Sequence, residues 1–167
     1  MKIGKGVEWA AHACAVLALL PPGAALSRDA LADYLGVPAP YLAKQLQGLS
    51  RAGLVVTQRG VSGGYRLSRD AEQISLWEIT AALEGVAPSF RCTEIRKNGP
   101  CGATPHECPG PCDIAKAFYD AERVYRDALS AVPLTQVVAG ATAVASDARK
   151  QRIRDWIADN ATGFIQS

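Results

Sequence analysis

Acidic residues are absent from a long central part of the sequence. No Asp or Glu occurs between Asp33 and Asp70, although the whole chain has a net charge of only +2. The basic residues of the same stretch are Lys44, Arg51, Arg59, Arg66 and Arg69. A basic surface of this kind suits a polyanion better than a small acidic substrate, and an ordinary solvated face is the alternative.

The residue patterns of common enzymes are also missing. The sequence contains no Ser/His/Asp arrangement, no phosphate-binding glycine loop and no dinucleotide fingerprint. We therefore expect neither an enzyme nor a small-molecule substrate. Hydrophobic residues make up 49% of the chain and charged residues 20%, which is ordinary for a folded protein and excludes extensive disorder.

No apolar run is long enough to cross a membrane. Two lysines and the apolar residues 13–20 resemble the start of a secretory signal, but Glu8 and His12 stand where a signal needs apolar residues. Pro21 then ends the run well short of a membrane span. We expect no membrane attachment and a cytoplasmic location, where clustered cysteines more often bind metals than form disulfides.

The first half of the chain has the element order of a winged helix-turn-helix. The pattern predicts helices over residues 6–20, from Ser27 to Gly36, from Pro38 or Pro40 to Gly53, and over 74–84, with extended runs at 54–58 and 64–68. Glycines between the two runs permit a hairpin tip. The expected fold is mostly α with a small β-hairpin wing, and residues 1–84 form its DNA-binding domain.

Polar residues of the second short helix are candidates for contacts with double-stranded promoter DNA. A recognition helix presents polar side chains to the major groove while its other face stays in the core. Tyr41, Lys44, Gln45 and Arg51 are available for that outward face. Lys44 and Arg51 suit phosphate or guanine, Gln45 suits adenine, and Arg59 at the wing tip suits the minor groove or a phosphate.

Four cysteines lie in an irregular loop that we assign to residues 85–112. They are Cys92, Cys101, Cys108 and Cys112, and such a long loop is uncommon unless something orders it. Gathered thiolates bind Zn²⁺ or an iron–sulfur cluster. Only the last two cysteines form a close pair, and this spacing argues weakly against a zinc finger. Cys14 lies in an apolar helix and is interpreted as a core thiol.

A long helix is predicted over residues 113–133. Its apolar residues recur at intervals of four and three, and they are Ile114, Phe118, Ala121, Tyr125, Ala128 and Val132. An apolar repeat of 3.5 residues is typical of a helix that packs against a partner helix. We therefore predict a homodimer formed through this helix, and an intramolecular bundle is the alternative. Residues 134–167 are interpreted as a C-terminal helical tail, with a final helix over 146–159.

Residues 45–70, with the sequence QLQGLSRAGLVVTQRGVSGGYRLSRD, resemble the Rrf-type family of iron–sulfur regulators. The similarity runs from residue 1 to about residue 133. It implies a winged-helix dimer in which each cluster lies beside the long helix and the state of the cluster sets the affinity for DNA. The chain departs from the family's usual C-x5-C-x5-C motif, so ligands cannot be copied by position.

The remaining pattern is similar to the redox-sensitive branch of that family. Glu8, Trp9, His12 and a C-terminal cysteine pair carry this resemblance. It implies a 2Fe–2S cluster between subunits, with Cys108 and Cys112 from one chain and Glu8 and His12 from the other. Replacing thiolates by imidazole raises the reduction potential of a cluster, which suits a redox sensor.

Several points stay open in the sequence. Cys92 and Cys101 are either spare thiols or ligands of another cluster form, and His106 is a minor rival ligand. A zinc-stabilised regulator and a nitric oxide-sensing 4Fe–4S regulator are the alternatives within the same fold. Trp9 is a candidate lever between the cluster and the helix-turn-helix, or simply a core residue.

Overall fold

The computed structural model describes residues 3–58 and 63–163. Within these ranges the helices are α1 Lys5–Leu17, α2 Arg28–Leu35, α3 Ala39–Arg51, α4 Leu76–Glu84, α5 Asp113–Ser130, α6 Leu134–Val144 and α7 Asp147–Asn160. The strands are β1 Ala25–Leu26, β2 Val55–Gln58, β3 Gly64–Leu67 and β4 Ala161–Thr162, and they form one antiparallel sheet in the order β2-β3-β1-β4. The predicted mostly α fold with a small β-hairpin wing is confirmed.

The helix-turn-helix is formed by α2 and α3, and local signals set its ends. The Ser27 side chain accepts a hydrogen bond from the Ala30 backbone N–H at 3.0 Å and so caps α2. Gly36 ends α2 in the left-handed conformation with φ 62°. The core side chains beneath the two helices are fully buried, and they are Leu31, Leu42, Leu46 and Leu49. Burial of these leucines fixes α2 and α3 against α1 and α4.

The start of α4 differs from the sequence prediction. Ser75 and Glu78 form a capping box, so α4 begins at Leu76 and not at residue 74. Ile74 is extended and fully buried, and its carbonyl oxygen accepts a hydrogen bond from the Leu134 N–H at 2.8 Å. This bond fastens the beginning of α6 beneath the DNA-binding domain.

The wing consists of β2 and β3, whose register pairs Val55 with Leu67 and Gln58 with Gly64. The sequence did not predict β1, which pairs with the other edge of β3 at Leu26 and Tyr65. The backbone of Leu26 passes so close to Gly64 that a Cβ there would lie 2.6 Å from the Leu26 carbonyl oxygen. Gly64 is therefore required for the close approach of β1 to the wing.

The C-terminal tail folds back onto the DNA-binding domain. The ring of Trp156 in α7 packs edge-on against Tyr34 of α2, with centroids 4.9 Å apart, and Ile157 is buried beside it. The chain then pairs β4 with β1. The tail, which the sequence predicted only as helical, thus also supplies a strand of the sheet.

The long helix α5 is largely uncovered in the single chain. Ala115 is the one buried residue of α5, whereas Ile114, Phe118 and Val124 are 66%, 52% and 61% exposed. The helix is tied to α4 by the edge-on contact of Tyr125 with Trp77, at 6.2 Å between centroids. The sequence predicts that two subunits associate through this exposed apolar side, and the dimer stays a prediction.

No helix in residues 3–58 and 63–163 combines the length and the apolar character needed to cross a membrane.

Replacing Gly64 by alanine is expected to lower the free energy of unfolding by about 1–3 kcal/mol, because the added Cβ would collide with backbone that cannot move aside. Gly140→Ala is the matched control, since nothing lies within 4 Å of a Cβ at this helical position. There, alanine should stabilise the protein by up to about 1 kcal/mol. Urea unfolding at one protein concentration measures both changes, and equal effects at the two glycines would contradict the close approach.

Candidate functional site

The outward face of α3 carries the side chains that are free to meet DNA. Tyr41 is 63% exposed, and Lys44 and Arg51 are also exposed, while the leucines of the same helix are buried. Arg51 donates a hydrogen bond to the Gln47 carbonyl oxygen at 3.4 Å, so its guanidinium lies back along the last turn of α3. These positions agree with a recognition helix that buries one side and presents polar groups on the other.

Gln45 does not lie on that open face. It is half-buried, and its Nε2 donates to the Tyr41 carbonyl oxygen at 3.4 Å. A Cβ on Gly6 of α1 would lie 2.7 Å from its Oε1, which places Gln45 in the contact between α1 and α3. The expected contact of Gln45 with adenine stays a prediction, and the position lies beside Gly6 of α1. Arg59, the other predicted DNA contact, lies outside the described residues.

The exposed face of α1 presents Glu8 and His12 one helical turn apart. Between them in sequence, Trp9 is half-buried and its ring meets Tyr41 edge-on with centroids 6.3 Å apart. The Trp9 side chain thus connects the part of α1 that carries Glu8 and His12 to the exposed side of α3. This contact is the geometry that a lever role for Trp9 requires.

The cysteine loop brings together Cys92 and Cys112, whose Sγ atoms are 4.0 Å apart. Cys108 is half-buried at the end of the 3₁₀ turn Pro105–Glu107, and Cys101 is exposed. The family resemblance implied Cys108 and Cys112 as the ligand pair and left Cys92 as either a spare thiol or a ligand of another cluster form. In the structure, Cys92 is the thiol neighbour of Cys112.

Arg96 connects the two ends of this loop. Its guanidinium donates hydrogen bonds to the Gly110 carbonyl oxygen and, at 3.1 Å, to Glu94. The Glu94 N–H in turn donates to Cys92 Sγ at 3.4 Å. Arg96 therefore links the segment next to Cys92 to the Pro-Gly-Pro segment before Cys112. Sequence reasoning missed Arg96, since it has no characteristic spacing to Cys112, and it left the role of Cys92 open.

Cys112 is the N-cap of α5, and its Sγ accepts a hydrogen bond from the Ala115 N–H at 3.4 Å. This backbone hydrogen bond, with smaller contributions from the neighbouring Cys92 and the positive charge of Arg96, lowers the pKa of the Cys112 thiol below its usual range. The thiolate is the form that binds metals. The pKa of Cys14 is raised to about 12 by burial, which confirms its assignment as a core thiol.

Aromatic packing fixes the loop against α5. Phe90 stacks on Phe118 with centroids 4.5 Å apart, and the Ser89 N–H donates to Glu122 at 3.0 Å. Cys92 and Cys112 consequently lie beside the exposed N-terminal half of α5. Any partner helix that covers this half would pass next to the two thiols.

The two thiols fit one metal ion but do not complete its coordination. Two thiolates on a tetrahedral ion, with metal–sulfur bonds of about 2.3 Å, lie about 3.8 Å apart. The observed separation of 4.0 Å is close to this value. Among residues 3–58 and 63–163, no three His, Cys, Asp or Glu side chains are grouped as a metal site. The described part of one chain thus provides two sulfur ligands, while Glu8 and His12 are presented separately on α1.

A winged helix with an exposed basic recognition helix defines the class of DNA-binding regulators. A family profile described as "Rrf2: Iron-dependent Transcriptional regulator" matches residues 3–140. The chain therefore belongs to the Rrf2 family of transcriptional regulators, and it is a DNA-binding regulator and not an enzyme.

Individual relatives agree with this assignment. The protein slr0846 of Synechocystis sp., named as an HTH-type transcriptional regulator, is 44% identical over 84 residues, which are 50% of this chain and 57% of the relative. The transcriptional repressor NsrR of Streptomyces coelicolor is 28% identical over 85% of this chain and 91% of its own length. The structure of IscR from T. potens superposes with a TM-score of 0.65 at 22% identity, covering 88% of this chain and 93% of that chain. The last comparison shows the shared fold.

In reduced, metal-free protein, we expect Cys112 to react with iodoacetamide at lower pH than the exposed Cys101. A lowered pKa keeps the thiolate populated below the usual range, so the reaction rate of Cys112 should rise at a pH below 9.0, the ordinary value for the thiol. Peptide mass spectrometry across neutral and alkaline pH measures the rate at each cysteine. Cys14 is an internal control and should stay unlabelled until the protein unfolds. A Cys112 profile no different from that of Cys101 would contradict the N-cap geometry.

Proposed function

We propose that this chain is a homodimeric regulator of promoter DNA that senses redox state through a 2Fe–2S cluster held between its subunits. The observation that carries the proposal is the pair of thiols at the N-terminus of α5, 4.0 Å apart and beside an exposed apolar helix face. The iron-dependent description of the matching family supports iron over zinc.

Four residues would hold the cluster. Cys112 and Cys92 supply the thiolates of one subunit, and Glu8 and His12 of the other subunit supply a carboxylate and an imidazole. Cys108, the partner of Cys112 implied by the family resemblance, is the rival to Cys92, and we choose Cys92 because its sulfur atom lies 4.0 Å from that of Cys112. When bound, the cluster supplies one-electron exchange, and the imidazole ligand raises its reduction potential. The sequence pattern of Glu8, Trp9, His12 and the C-terminal pair of Cys108 and Cys112 resembles the redox-sensitive regulator RsrR.

The dimer would form through α5. Its repeat of 3.5 residues places Ile114, Phe118, Ala121 and Ala128 on one side, and all four are exposed in the single chain. An amphipathic helix of this length normally buries such a side against another helix. Association through the N-terminal half of α5 would place a second subunit next to Cys92 and Cys112, where the missing ligands are needed.

The contact between α1 and α3 would transmit a change in the redox state of the cluster to the DNA-binding surface. Glu8 and His12 lie on the outer face of α1, and Trp9 from the same turn touches Tyr41 of the recognition helix. The Gln45 side chain of α3 lies against Gly6 of α1, so a shift of α1 would also act on α3 at this contact. A typical coupling free energy of about 1–3 kcal/mol would change the DNA affinity about 5- to 150-fold.

Subunit mixing tests the ligand assignment. One variant carries Glu8→Ala and His12→Ala, and the other carries Cys92→Ser and Cys112→Ser. Each homodimer should lack the cluster. The heterodimer, purified with two affinity tags, should recover about half of the wild-type iron and sulfide, because one of its two symmetry-related sites keeps every ligand. A heterodimer without iron would exclude ligation between subunits, and zinc in place of iron and sulfide would support a structural metal site.

Single cysteine variants separate the rival ligands. Cys101→Ser is the matched control and should retain the visible absorption of the cluster, because its side chain is exposed and apart from the thiol pair. Cys92→Ser should lose this absorption, whereas Cys108→Ser should keep it. The reverse result for Cys92 and Cys108 would restore the pair expected from the sequence.

Oxidised and reduced protein should bind promoter DNA with different affinities. Titrations at one salt concentration measure both affinities, since phosphate contacts make binding strongly salt-dependent. Lys44→Ala should weaken binding by about 1–3 kcal/mol in both states, because it removes a contact of the reading face. Trp9→Ala should instead reduce the difference between the two states, because it removes the contact with Tyr41. Equal affinities of the oxidised and reduced wild-type protein would defeat the redox-switch proposal.

A further inference from the structure

A cavity of about 330 Å³ lies where α1, α2, α6 and α7 meet. Its walls are mainly apolar and include Val16, Leu19, Val138, Ile153 and Ile157. Pockets for small ligands have volumes from roughly 300 to 1,000 Å³ and are lined mainly by apolar side chains with a few polar groups. The size and the lining of this cavity are therefore those of a ligand site.

The charged side chains that line this cavity are positive. Arg149, Lys150 and Arg154 of α7 line it, and no Asp or Glu is among its lining residues in the described part of the chain. Lys150 lies 3.7 Å from Asp147, and Arg154 is hydrogen-bonded to Gln151. The guanidinium of Arg149 has no hydrogen bond or ion pair within the described residues. A negatively charged group of a ligand at this rim would be the partner that the Arg149 guanidinium lacks among the residues that the structure describes.

We propose that the cavity binds a small amphipathic carboxylate, with its apolar chain between α1 and α7 and its carboxylate at Arg149 and Lys150. The volume equals that of about eleven water molecules in the liquid, which corresponds to about a dozen non-hydrogen atoms. An unbranched acid of medium chain length has this size. Its chain would cover the apolar wall, and its single charge would match the cationic rim.

The wall formed by α7 lies beyond the residues that the family profile matches. The profile ends at residue 140, whereas α7 covers residues Asp147–Asn160. This helix is held in place by Trp156 on Tyr34 and by the pairing of β4 with β1. It therefore forms one side of a partly open cavity and lines that side with positively charged residues.

The position of the cavity connects it to the rest of the regulator. His12 of α1 is one of its lining residues, and α7 leads through β4 and β1 to β3 of the wing. A ligand in the cavity would contact α1 and α7 together. Binding itself does not require the cluster, so this inference and the proposed redox function can fail separately.

Calorimetric titration with decanoate tests the inference on the full-length protein, both with bound metal and after metal removal. We expect saturable binding of one molecule per chain in both forms. Decanol, which has the same apolar chain without a charge, should bind at least about tenfold more weakly, since a hydrogen bond to a charged group contributes about 1.5–3 kcal/mol. Arg149→Gln combined with Lys150→Gln should weaken decanoate binding by a similar factor.

A cavity-filling variant separates this site from general surface binding. Ala141→Phe adds a ring at a lining position of α6 and should abolish decanoate binding, whereas Ala158→Phe adds the same ring to an exposed position of α7 away from the cavity and should not. Equal binding of decanol and decanoate would overturn the carboxylate assignment. The inference would also fall if binding were unsaturable, or unchanged by Ala141→Phe, or if a second subunit filled the cavity and no decanoate bound.

Discussion

The packing of α1 against α3 is the contact on which the arrangement of this regulator depends. It is possible because small side chains cover the inner face of α1: Ala10, Ala13 and Cys14 are fully buried, and Gly6 leaves room for Gln45. Close-packed interfaces of this kind transmit displacement, because they contain no free volume to absorb it. The outer face of the same helix carries Glu8 and His12. One short helix thus carries the two residues proposed as cluster ligands and also supports the DNA-reading surface.

Much of the fold could be predicted because its signals are local. Ser27 and Gly36 delimit α2 through contacts within a few residues, and the repeat of leucines in α3 follows directly from helical geometry. The two strands of the wing and the long α5 were predictable for the same reason. The exact start of α4 was not predictable, because the apolar pattern begins at Ile74 whereas the capping box of Ser75 and Glu78 starts the helix at Leu76.

The candidate site was less predictable because it depends on contacts between distant residues. Cys92 and Cys112 meet where Arg96 binds the carbonyl oxygen of Gly110 and Phe90 stacks on Phe118, and a backbone acceptor has no sequence signature. The contact of Gln45 with Gly6 likewise depends on tertiary packing. Residue types therefore indicated which chemistry is present, while long-range contacts determined which of the cysteines are neighbours.

The pairing of β4 with β1 also has a consequence for self-association. Without the tail, β1 would have an unpaired row of backbone N–H and C=O groups, and open sheet edges of this kind promote aggregation. With the tail in place, the outer strand on this side of the sheet is Ala161–Thr162, which is as short as β1, and very short edge strands are one way in which natural proteins suppress such pairing. The C-terminal strand therefore covers the backbone of β1 and leaves only a two-residue edge on the side of the sheet away from β2.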